Sequence, residues 1–281
     1  MRKENTLDES GRFKCHLIRK KRNSGENQKM NITWDADKYS KNFSFVHRYG
    51  NDVAELIDCK PGGTIVDLGC GNGALTNIIK NKGYKVIGID ASDELLDLAR
   101  RNYPDIDFVQ ADATSFSLKR PADVVFSNAV FHWIDKEKQT LMLNCVNRAL
   151  KENGQFVFEF GGQGNNTLIH GALENAFNKY GYSYKFPFYF PSIGEYASML
   201  ERAGFLVKYA VLFERPTELT GERGLKDWIN MFVKRPFEDA EIKNKREEII
   251  DAAVESLKKD LYKNGKWYAD YVRIRMTAYK C

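Results

Sequence analysis

The sequence predicts a doubly wound α/β fold: a mostly parallel sheet with helices on both faces and helical lid elements above it. Three observations predict it. Strand-like and helix-like segments alternate from Pro61 to Phe160, which means βαβ units with right-handed crossovers. The strand-like runs are continuously apolar, as in a sheet covered on both faces. Glycines, carboxylates and an amide gather where those runs end, the edge at which such sheets hold ligands.

Taken in order, "GTIVDLG" (63–69) reads as a first strand, and "ALTNIIKNKG" (74–83) as a helix with a glycine stop. "YKVIGID" (84–90) is a second strand. "SDELLDLARRNYP" (92–104) is a helix with Ser92 as N-cap, Asp93 and Glu94 in its first turn and Pro104 at its end. "IDFVQAD" (106–112) and "ADVVFSN" (122–128) are the third and fourth strands. "KEKQTLMLNCVNRALKENG" (136–154) reads as one long helix with a glycine terminator, and "QFVFEF" (155–160) as the fifth strand.

The second half has longer elements. "SIGEYASMLERAG" (192–204) is a helix and "FLVKYAVLFERP" (205–216) a strand. Residues 224–237 and 239–265 read as two helices, and "KWYADYVRIRMTAYK" (266–280) as a last strand. The helical segments 33–57 and 217–265 are expected to form a lid over the site of a single domain spanning 30–281.

Charge divides the chain. Residues 1–29 hold nine Lys/Arg and four Asp/Glu, which accounts for the whole net charge of +5. This stretch is expected to be a disordered basic extension. The balanced remainder argues against a nucleic-acid partner, since phosphate binding needs concentrated Lys/Arg. No apolar run approaches the roughly 20 residues of a membrane span, and no apolar signal segment opens the chain. The five cysteines are scattered without a CxxC pair, so reduced thiols in a cytoplasmic protein are expected, and no metal site.

The chemistry gathers at the strand ends. Gly69, Gly71 and Gly73 follow the first strand, Asp90 ends the second, Asp112 follows the third and Asn128 ends the fourth. Glycines at such a turn serve either tight packing or the close approach of a ligand to backbone. The spacing departs from the GxGxxG of dinucleotide sites. Asp90 at the end of the second strand can accept the ribose hydroxyls of an adenosyl group, and Ser92 is available to cap the helix.

The string "VDLGCGNG" (66–73) resembles the first motif of the class I S-adenosylmethionine-dependent methyltransferases. "GIDAS" (88–92) is similar to their ribose-binding turn, and "QADA" (110–113) to their adenine-binding segment. "VFSNAVFHW" (125–133) and "LKENGQFVFEF" (150–160) resemble the motifs that follow. Within that family, "SNAVFHW", "FEFGGQGN" (158–165), "PSIGEYASMLERAGF" (191–205) and "ERPTEL" (214–219) resemble the trans-aconitate methyltransferase branch, from about Trp34 to about Phe237.

The resemblance implies a Rossmann-like sheet of seven strands, one of them antiparallel, and S-adenosyl-L-methionine as cofactor. It implies that Gly69, Cys70 and Gly71 lie against the methionine part and that Asp67 orders the loop. Asp90 and Ala91 would take the ribose and adenine edge, Asp112 and Ala113 the adenine, and Asn128 the vicinity of the sulfonium. Tyr39 and Arg48 are candidates for the methionine carboxylate. The acceptor expected is a small molecule, a carboxylate among the possibilities, beside Trp34, His132, Trp133 and Arg215. His132 is the candidate general base, with a substrate hydrogen-bonding role as its alternative. Arg235 is a further cation to consider, and Phe43, Tyr189 and Trp228 are further lid aromatics. No nucleic-acid or membrane partner is expected, and the protein is expected to be a monomer or homodimer.

Overall fold

Short apolar strands can form a parallel sheet only when helices cover both faces, and this chain supplies them. The computed structural model describes residues 45–281, with side chains from Gly50 onward. The expectations for residues 1–29 and for Trp34, Tyr39 and Phe43 lie outside the described residues. Arg48 falls within helix α1 (Phe45–Ala54), and its side chain also lies outside them.

The core runs β1 (Thr64–Leu68), α2 (Ala74–Asn81), β2 (Lys85–Asp90), α3 (Asp93–Asn102), β3 (Asp107–Gln110), β4 (Ala122–Asn128), α4 (Gln139–Ala149) and β5 (Leu150–Gly161). The second half adds α5 (Thr167–Lys179), α6 (Ile193–Arg202), β6 (Phe205–Leu219), α7 (Gly224–Phe232), α8 (Ala240–Asn244), α9 (Arg246–Leu261), a two-residue β7 (Tyr262–Lys263) and β8 (Lys266–Lys280). The sheet order is β3-β2-β1-β4-β5-β8-β6, with β7 paired to β8. The first five strands are parallel, and β8 runs antiparallel to both β5 and β6. This is a Rossmann-like sheet with one reversed strand, as expected.

Alternation along β5 shows how both faces are filled. Phe156, Phe158 and Phe160 enter the core under α4 and α6, while Val157 enters the core beneath α1 and α2 with Phe126. Each fully buried phenylalanine contributes roughly 1.5–3 kcal/mol relative to exposure. The cap of Ser92 is formed as expected, its hydroxyl accepting the N–H of Leu95.

β6 and β8 are 15 residues each and outrun their neighbour. β5 pairs with β8 only from Arg273 to Tyr279, whereas β6 follows β8 back to Trp267. The overhang is a two-stranded ribbon. On it Trp267, Ala269 and Tyr271 pack in a second core with α5, α7 and α9.

Three elements depart from the sequence reading. The helix expected over 136–154 is a single 3₁₀ turn followed by α4, which ends at Ala149. Residues 150–154 instead open β5, with Asn153 at φ 59°, a backbone that helix spacing cannot reveal. The two helices expected over 224–265 are interrupted at a 3₁₀ turn around Pro236, which has no N–H to continue a helix. Helix α5 was not expected. Its start at Asn166 is left-handed (φ 54°) and lacks a side-chain cap of its own.

Candidate functional site

The turn after β1 is held from two sides. Gly69 and Cys70 N–H both donate to the carbonyl of Ile89, at 2.7 and 3.0 Å. Gly71 N–H donates to Asp90 Oδ2 at 2.9 Å, and Ser92 N–H donates to Asp90 Oδ1 at 2.9 Å. One carboxylate at the end of β2 therefore orders both its own turn and the neighbouring glycine loop.

The three glycines do different jobs, although all have positive φ. A Cβ on Gly69 would lie 2.2 Å from a Val130 methyl, and one on Gly73 would lie 2.7 Å from the Phe108 ring. These two glycines serve packing. A Cβ on Gly71 would meet nothing within 4 Å. Gly71 is thus the loop residue whose missing side chain leaves open space, beside the Asp90 carboxylate.

Asp67 lies beneath the loop, 2% exposed, and accepts the Thr76 hydroxyl at 2.6 Å. Burial raises its pKa to about 7, and burial likewise raises that of Asp90. Burial also pushes the Cys70 thiol up, so it is a neutral part of the loop. Asp112, after β3, uses Oδ1 to accept both the N–H (2.7 Å) and the hydroxyl (2.6 Å) of Thr114. Gln110 donates to the Ala91 carbonyl, which joins the turns after β2 and β3.

Asn128, at the end of β4, is followed by Ala129 at φ 62°, where a side chain other than glycine costs energy. Ala129 N–H donates to the Glu159 carbonyl at 2.7 Å. The strained residue turns the chain into the 3₁₀ turn Phe131–Trp133. There His132 is 8% exposed, and its Nδ1 accepts the N–H of Gly161 at 3.3 Å. That bond places the imidazole proton on Nε2. Burial first, and the Arg273 charge second, hold His132 well below the ordinary histidine range. A neutral ring with Nε2–H is a hydrogen-bond donor at its outer nitrogen. This geometry suits the hydrogen-bonding alternative expected for His132.

Arg215 is placed on β6, where Glu159 accepts from both of its terminal nitrogens. Arg275 Nε donates to the same carboxylate at 2.7 Å. Glu159 is 2% exposed, so removing it would leave two largely buried guanidiniums against each other. The charge of Arg215, expected at the acceptor, is engaged within the sheet. Arg235 forms an ion pair with Asp135. Trp228 is core, with its Nε1–H donating to the Tyr271 hydroxyl, and Tyr189 is also buried.

The sequence reading missed three features. Phe188 and Phe190 stack 5.4 Å apart, both about 6 Å from His132, in a stretch without regular structure. Arg273 sits opposite Gly161 in the β5–β8 ladder. Ala129 carries the strained turn. Only the "FPFYF" stretch (186–190) carried a visible signal, an aromatic at every second position. Among the described residues there is no cluster that could hold a metal and no helix long and apolar enough to cross a membrane.

A family model described as a methyltransferase domain matches residues 65–154. An uncharacterized methyltransferase of Schizosaccharomyces pombe is 32% identical over 260 residues, covering 88% of this chain and 98% of its own length. A trans-aconitate 2-methyltransferase of Azoarcus is 34% identical over 104 residues; the match spans 36% of this chain and 41% of that protein. A proposed methyltransferase of Bacillus halodurans C-125 has a similar fold, with TM-score 0.57 and 17% identity, covering 82% of this chain and 98% of its own.

Two outcomes follow. Gly69→Ala will lower stability in chemical denaturation, because Val130 must move, whereas Gly71→Ala will cost only about 1 kcal/mol of backbone strain. Asp67 favours the fold while protonated: that contribution is complete below about pH 4 and is lost as pH rises through about 7. Relative to Asp67→Asn, the ligand-free wild type will therefore lose on the order of 3 kcal/mol between pH 4.5 and 8. A flat difference profile would contradict the burial argument.

Proposed function

The chain belongs to the class I S-adenosylmethionine-dependent methyltransferases, and on that premise we propose that it methylates a small-molecule acceptor, a carboxylate, at the carboxyl edge of the sheet. When bound, S-adenosylmethionine supplies a methyl group on a sulfonium, which passes to the acceptor as the carbon–sulfur bond breaks and its electron pair stays on sulfur.

The chain's own groups fit this cofactor. The observation that carries the reading is the open space at Gly71 beside Asp90. Backbone can approach the methionine part there, with Gly69 and Cys70 fixing the loop. Asp90 retains acceptor positions for ribose hydroxyls while it holds the loop. Ala91 and Ala113 flank the adenine, and Asp112 accepts its amino group through Oδ2. Asp67, beneath the loop, favours a cationic ligand. Asn128 presents backbone to the reacting centre. Tyr39, Arg48 and Trp34 would close the site from the N-terminal segment.

Methyl transfer asks the protein for alignment and for exclusion of water. A carboxylate acceptor is already ionised at neutral pH and needs no base. His132 then serves as a donor that orients the acceptor, and Trp133 walls the pocket. Helices α7 to α9, on the overhanging ribbon, act as the lid that keeps water out. The carboxylate reading is supported by the partial match to trans-aconitate methyltransferases.

Calorimetric titration with S-adenosylmethionine tests the site. Two charge-assisted bonds to ribose contribute about 1.5–3 kcal/mol each, so Asp90→Ala will weaken binding by at least about a hundredfold. Near-native affinity in that variant would overturn the assignment.

A further inference from the structure

We infer that the protein forms a twofold homodimer in which the outer edges of two β6 strands pair antiparallel, centred on Val211.

β6 is the last strand of the sheet. Its inner edge pairs with β8 from Phe205 to Leu219, and no strand among the described residues pairs with its outer edge. Alternate residues there turn an N–H and a C=O outward, which is a template for another chain. Edge strands are commonly blunted by being short. This one is 15 residues long. Its pairing with β8 shifts register between Val207 and Tyr209, and Pro216 has no N–H to give. Between those two interruptions the strand runs regularly from Tyr209 to Arg215.

The side chains of this stretch divide between the two faces. Ala210 and Leu212 pack toward the core under α4 and α6. Tyr209, Val211 and Phe213 take the other face, and none of them joins an apolar core among the described residues. Tyr209 is 42% exposed, and Val211 and Phe213 are half-buried. They form an apolar stripe along the open edge. Exposed Lys208 and Glu214 bracket it, and neither has an ion-pair partner among the described residues.

The spacing of these residues is self-complementary. Two identical strands that pair antiparallel are related by a twofold axis normal to the sheet, which keeps each face on its own side. The axis therefore passes beside a residue and not between two. Beside Val211 it sets Lys208 opposite the second copy's Glu214, Tyr209 opposite its Phe213, and Val211 opposite its Val211. Opposite charges meet at both ends, and the apolar stripe continues across the axis, the pairings that favour adjacent strands. Neighbouring registers lose this match. An axis beside Ala210 sets Lys208 against Leu212 and Glu214 against Leu206, and one beside Leu212 sets Lys208 against Pro216 and Glu214 against Ala210. A second copy of this chain is thus the occupant whose charges fit the edge.

Sedimentation of the full chain across a concentration series tests the inference through exposed charges, whose exchange leaves the core untouched. The wild type will be a dimer at about 100 µM, as a small interface allows. Lys208→Glu turns two attractive pairs per dimer into two repulsive ones and will weaken dimerisation at least about tenfold. Combining it with Glu214→Lys exchanges the charges and will restore the dimer. A wild type that stays monomeric, a dimer indifferent to Lys208→Glu, or a double variant no more dimeric than the single one would each overturn the inference.

Discussion

The two hydrogen bonds into the Asp90 carboxylate, from Gly71 N–H and Ser92 N–H, set the site's geometry. They join the ends of two adjacent strands through a single side chain. With the paired donation of Gly69 and Cys70 to the Ile89 carbonyl, they fix a loop made of residues that are free to move in isolation. The flexibility of glycine is used here for its shape and removed by its neighbours. Gly69 and Gly73 yield their side-chain space to Val130 and Phe108, so that Gly71 can keep its own space open.

A second junction lies two strands away. Glu159 gives its backbone carbonyl to the strained Ala129 turn and its side chain to Arg215 and Arg275. Those arginines belong to the two long strands that carry the helical cap. The same residue therefore ties the end of β4 to the base of the cap. Two buried guanidiniums around one carboxylate make a costly arrangement if any member is lost. The corner is rigid for that reason, and a rigid corner suits a reaction that asks chiefly for alignment.

The proposed cofactor edge was legible in the sequence as a set of strand ends because local chemistry marks them. Gly69, Gly71, Asp90 and Asp112 each follow a short apolar run, and the parallel topology brings strand ends together without any long-range information. Ser92 was legible as a cap for the same reason. The acceptor side was not. Arg215 looked available in "ERPT", but its partner Glu159 is 56 residues away across the sheet. Arg273 and Arg275 stand in a segment that reads simply as a last strand, and only pairing with β5 and β6 shows which face carries them. His132 was visible, but its role depends on a bond from Gly161, 29 residues on, which no local pattern shows. Helix α5 escaped because Asp270, on β8, accepts the Leu168 N–H that a local cap would have taken.

A crystal structure of the chain with S-adenosylhomocysteine tests the central claim most directly. The account predicts ribose hydroxyls at about 3 Å from the Asp90 carboxylate, with the amino-acid end of the ligand against the Gly71 backbone. A ligand seated elsewhere, or one that leaves Asp90 untouched while Gly71 faces solvent, would contradict it.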